Sequence, residues 1–136
     1  MRKLLFLTLL IFTVGCSPSV DTALLSGYWN IEKVVLPDGS EKEFPFSNHM
    51  DHFEVCNYQG IKYRVSPTYD GGFVNYGSPV NFTIRERNDE IHLHFRSGEE
   101  SYQQKLVLCT SERLVLLHEN GTTYHYSSFK TNHEEQ

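Results

Sequence analysis

Any chemistry in this chain would come from three cysteines, seven histidines and a few adjacent carboxylates. His92 and His94 sit two apart, so on a strand they share a face, as two metal ligands could; His49 and His52 form a second close pair. In the pairing expected for their hairpin, Arg85 and Thr83 face His92 and His94. A fixed cation there discourages another, and no third ligand at the right spacing completes a set. Asp89-Glu90, Glu99-Glu100 and Glu134-Glu135 fall in turns or the tail, where carboxylates serve solubility and turn formation. No triad, phosphate-binding loop or metal set appears. The expectation is therefore no enzyme, no cofactor and no metal. Cys56 and Cys109 read either as a disulfide closing a loop of about 50 residues or as two half-buried thiols.

The first sixteen residues say where those groups must work. Met1-Arg2-Lys3 precedes an apolar run from Leu4 to Val14, too short for the ~20 residues of a membrane span. Basic start, short apolar core and small residue read as a secretory signal. Gly15-Cys16 resembles a bacterial lipobox, with Thr13 where leucine is usual. That resemblance implies diacylation of Cys16, cleavage before it and N-acylation after. Ser17 at the second mature position resembles an outer-membrane sorting signal. The expected organisation is a signal peptide over 1–15, lipidated Cys and tether over 16–24, a barrel domain over 25–130 and a polar tail over 131–136. The expected setting is the cell envelope, anchored to the outer membrane through Cys16, as a monomer. Cleavage takes the net charge from −5 to −7 by removing Arg2 and Lys3, which opposes any nucleic-acid partner. At 39% hydrophobic and 13% aromatic, the chain is not disordered.

Beyond Leu25 the pattern is one of short strands: β-branched and aromatic residues alternate with polar ones, and no helical period persists. Val80–Arg87 and Glu90–Phe95 flank Asn88-Asp89, a two-residue turn that pairs Arg87 with Glu90, Ile84 with Leu93 and Phe82 with Phe95. Turning on Asn120-Gly121 pairs Leu117 with Tyr124 and Val115 with Tyr126. With further strands at 27–36, 51–57, 60–66 and 101–109, the total is eight. The expected fold is all-β, an eight-stranded antiparallel up-and-down barrel. Two long connections, 37–50 and 67–78, are the first and third, so they decorate the same end and leave the other closed; this parity requires 51–57 and 60–66 to be separate strands. Phe44, Phe46, Tyr69, Phe73 and Tyr76 lie in those connections, either as ligand or partner contacts at a mouth or as an inward plug.

The first strand opens Ser26-Gly27-Tyr28-Trp29, and the chain ends with Leu114-Val115-Leu116 and Asn120-Gly121-Thr122-Thr123-Tyr124-His125-Tyr126. The opening resembles the Gly-x-Trp motif of the lipocalins. The closing hairpin is similar to that of the short lipocalin-like lipoproteins of Bacteroidota-type bacteria. The resemblance implies a lipocalin/calycin-like barrel whose base is packed by Gly27 and Trp29, and a binding module for a small apolar or amphipathic molecule. A solid barrel would instead suit an envelope factor that binds proteins, such as a lysozyme or protease inhibitor.

Overall fold

A computed structural model describes residues 20–44 and 49–129. The expectations for Cys16 and its signal segment, for Phe46 and for the C-terminal tail lie outside those residues. The described chain is a short 3-10 turn, Thr22–Leu25, then nine strands. These are β1 (Gly27–Val35), β2 (Glu41–Glu43), β3 (Met50–Cys56), β4 (Gln59–Pro67) and β5 (Phe73–Arg87), followed by β6 (Glu90–Ser97), β7 (Glu100–Cys109), β8 (Arg113–His118) and β9 (Thr123–Phe129). Strands β1 and β3 to β9 follow one another antiparallel, and β1 pairs with β9 to close an eight-stranded barrel. Strand β2 is a short arm folded back on β1.

Local chemistry explains the turns. Asn88 and Asp89 both adopt positive φ, 54° and 63°, as a two-residue hairpin turn requires. The resulting register joins Arg87 to Glu90, Ile84 to Leu93 and Phe82 to Phe95, as the alternation demands. Asn57, also at positive φ (58°), separates β3 from β4, so 51–57 and 60–66 are two strands. At Gly60 the Phe82 ring lies where a Cβ would stand, so this strand position admits only glycine.

Two expectations require correction. The last hairpin is one residue out of the expected register: Leu116 faces Tyr124 and Leu114 faces Tyr126. Its loop is Glu119-Asn120-Gly121, closed by His118 N–H to the Thr122 carbonyl at 2.8 Å, with Gly121 at φ 91°. The extra loop residue turns Leu114, Leu116 and Tyr126 inward, where all three are buried. The second correction is that 67–78 is not a long loop. Residues 73–78 belong to β5 and pair with the end of β4, leaving a tight turn over 68–72. This β4–β5 arm bends where the register shifts between Lys62 and Arg64, beside Gly77 at φ 73°.

The base end, carrying the 57–58, 88–89 and 110–112 turns, is sealed by the incoming chain. Asp21 accepts the Ala23 N–H and so caps the 3-10 turn. That turn drives Leu25 into the barrel, where the Trp29 Nε1–H donates to the Leu25 carbonyl at 2.8 Å. The Gly27-x-Trp29 pattern thus acts at the base: Gly27 takes φ 144° entering β1, and Trp29 lies across the end of the core.

Candidate functional site

The barrel interior is filled by its own rings. Phe53, Phe82 and Phe95 are 1–3% exposed and touch in sequence across the lumen, with centroids 5.9 Å and 5.2 Å apart. Phe95 continues onto Tyr102, stacked at 4.9 Å, and Leu93, Leu106, Leu114 and Leu116 complete the packing. A strand that alternates faces should turn Ile61, Tyr63 and Val65 into this core. Pairing instead places Gly60 against Phe82 and Lys62 against Phe53, so the lysine faces the lumen. Lys62 Nζ lies 4.9 Å above the Phe95 ring and donates to the Tyr102 hydroxyl at 3.2 Å, so its charge is met by a π face and an oxygen.

More polar groups gather toward the mouth, the end bearing the 36–49, 68–72, 98–99 and 119–122 connections. Tyr126 donates to Asp51 Oδ2 at 3.1 Å, and Arg64 Nε stands 3.9 Å from Asp51 Oδ1. Burial, reinforced by the Asp51 charge, raises the Tyr126 phenol well above its ordinary value, so it stays a hydrogen-bond donor. Burial also raises Tyr76, whose hydroxyl is buried without a hydrogen-bond partner among the described residues. Gln104 bonds His118 at 3.2 Å, and the His118 ring packs on Tyr102. The sequence signal for this cluster is Lys62 and Arg64 two apart on one strand face, a pattern that ordinarily marks a solvated surface.

A recess of about 1130 Å³ borders the barrel wall. It runs along β3 to β7, with Asn57-Tyr58 at one end and Glu119 at the other, and the lumen-facing Phe82, Phe95 and Tyr102 line it together with outward residues. The outward side chains it carries include Thr83, Arg85, His94, Arg96 and Gln103. Among the described residues neither Arg85 nor Arg96 has an ion-pair partner. Burial and the Arg85 charge lower His94, leaving it neutral. Such a wall offers two cations and several amide or hydroxyl groups to an extended polar partner.

The expected site residues do not converge. Phe73 leaves the mouth altogether: the bent arm lays it against Tyr28 on the outer wall, stacked at 4.0 Å, with His52 on the other face of that tyrosine at 4.1 Å. Tyr76 meets His49 edge-on at the mouth, Tyr69 is fully exposed at the arm's tip, and Phe44 lies under Lys42 Nζ. The four described aromatics, Phe44, Tyr69, Phe73 and Tyr76, do not gather on one mouth surface. Cys56 and Cys109 are free thiols, so the bridge is not formed: β3 and β7 are not neighbours, and the first thiol is exposed while the second is buried. Burial pushes the Cys109 thiol up to about 11, which leaves it an inert core group. His92 bonds Glu90 Oε2 at 3.0 Å, and Lys105 holds the other oxygen at 2.9 Å. Among the described residues no group of three or more His, Cys, Asp or Glu is placed to hold a metal ion.

A family model described as a lipocalin-like domain matches residues 25–116. A crystal structure of a lipocalin-like protein from Bacteroides uniformis matches with TM-score 0.50 and 15% identity, covering 78% of this chain and 99% of that one. No curated protein matches the sequence.

Proposed function

Because the chain belongs to the lipocalin-like domain family, we propose that it is a non-catalytic binding protein of the bacterial envelope, anchored through lipid on Cys16, that holds a partner protein on its outer wall. The anchor is supported by the basic start, the short apolar run and Gly15-Cys16. The binding mode is supported by one observation above all: aromatic side chains pack the lumen, and the recess bordering Phe82, Phe95 and Tyr102 also carries the outward Thr83, Arg85, Arg96 and Gln103. Small-molecule pockets are mostly apolar and about 300–1,000 Å³. This recess sets Arg85, Arg96, Thr83 and Gln103 beside the apolar Ile61 and Phe82, which suits a polypeptide with acidic and amide groups.

A second reading has a specific observation behind it. Lys62, Tyr102, Gln104 and His118 give the mouth side of the lumen a polar lining, which suits the head of an amphipathic molecule whose tail displaces part of the packing.

Photo-crosslinking separates the two. A benzophenone amino acid at Gln103 in the recess should capture an envelope protein, whereas one at Glu32 on β1 should not; adding R85E and R96E should abolish the capture. Equal capture from both positions, or none from either with a lipid co-purifying, would favour the second reading.

A further inference from the structure

We infer that the barrel stands base-down on the bilayer, with the lipid surface as the partner of its base turns and the mouth directed away. This rests on acylation of Cys16, and adds how the anchored domain is oriented. The chain is fixed to the base as soon as it enters the fold. Val20 forms a parallel bridge with Cys109, the Asp21 N–H donates to the Cys109 carbonyl at 3.3 Å, and Leu25 is wholly buried beside Trp29. Only three residues, Ser17 to Ser19, separate Cys16 from Val20, so four Cα-to-Cα steps carry the chain between them. Fully extended, they span at most about 14 Å. An eight-residue strand, tilted as barrel strands are, rises roughly 20 Å. The tether is therefore too short to bring the mouth to the lipid while the base stands clear of it.

The surfaces of the two ends agree. At the base, Tyr58 is 70% exposed and Leu24 39% exposed, an amphipathic ring and an apolar side chain suited to the headgroup boundary. The base connections carry Asp21, Asp89 and Glu112, with Arg87, Glu90 and Arg113 at the adjoining strand ends. The mouth connections carry Asp38, Glu41, Glu43, Asp70, Glu99 and Glu119 against a single lysine, Lys42. Although Leu36 and Tyr69 are exposed there, they stand among carboxylates that an anionic leaflet repels. In this pose the recess on β3 to β7 opens sideways, with its Tyr58 rim at the headgroups and its Glu119 rim in the aqueous space.

The experiment uses the full-length acylated protein in vesicles of phosphatidylethanolamine and phosphatidylglycerol. Cys56, exposed beside Tyr58, takes a thiol-reactive fluorophore directly; the comparison carries C56S with Y69C, labelled at the mouth. Lipids bearing a headgroup spin label should quench the base fluorophore several-fold more than the mouth fluorophore. A Gly/Ser insert of about twelve residues between Ser19 and Val20 should erase most of that difference. Equal quenching at the two positions without the insert, or stronger quenching at position 69, overturns the orientation while leaving the anchor intact. Intact mass reads the anchor separately: a chain without acyl groups overturns the anchor and, with it, the orientation.

Discussion

Truncating Phe95 to alanine probes the filled lumen where its packing is densest. The ring is 1% exposed, lies against Phe82 and Tyr102, and carries Lys62 Nζ on its face. Losing its burial removes about 2–3 kcal/mol of transfer free energy. The vacated space, about 100 Å³ at ~24 cal/mol per Å³, adds roughly 2 kcal/mol if the walls do not collapse. F95A should therefore lose about 4 kcal/mol, and its thermal midpoint should fall by about 15 °C or more. Urea unfolding followed by the single tryptophan, Trp29, reads this directly. A loss below about 1.5 kcal/mol would mean that the ring borders open space, and the solid-core argument would fail.

Three further outcomes follow from the structure. A thiol reagent should modify Cys56 in the folded protein and reach Cys109 only on unfolding; native protection of both, reversed by reductant, would restore the disulfide. Tyr126→Phe leaves Asp51 without its phenol donor and should cost about 1–3 kcal/mol in urea unfolding, whereas no loss would place that hydrogen bond in water. Burial lowers His52, His94 and His125 below their ordinary value of 6.5, so below that pH the unfolded chain binds protons that the folded chain refuses. Stability should therefore be fully present above about pH 6.5 and decline on acidification, with a lower urea midpoint at about pH 5.5 than at 7.5 and a shallower decline in H52N. A midpoint that rises on acidification would contradict the burial of these rings.

Much of the barrel was legible because its strongest signals are local. In 80–95 the alternation sorts Phe82, Ile84, Leu93 and Phe95 onto one face, and Asn88-Asp89 supplies the positive φ that the turn needs. Where the signal failed, a tertiary contact outweighed the local pattern. Asn75, Gly77 and Ser78 read as loop, yet pairing with the end of β4 and the stacking of Phe73 on Tyr28 hold the arm as strand. Asn120-Gly121 suits two turn geometries, and burial of Leu114, Leu116 and Tyr126 selected the longer loop. The candidate site was barely legible. The recess is a surface made by five strands together, and Lys62 enters the lumen because Phe95 and Tyr102 receive its charge, a fact no spacing within β4 reveals.

Binding outside a filled barrel can be examined in one titration. An apolar fluorescent probe, or a fatty acid carrying a quencher, is added to the folded domain while Trp29 emission is followed. A lumen already occupied by Phe53, Phe82 and Phe95 predicts no saturable binding and no change in Trp29 emission. Saturable one-to-one uptake that quenches Trp29 would place the ligand inside the barrel and contradict binding at the outer wall.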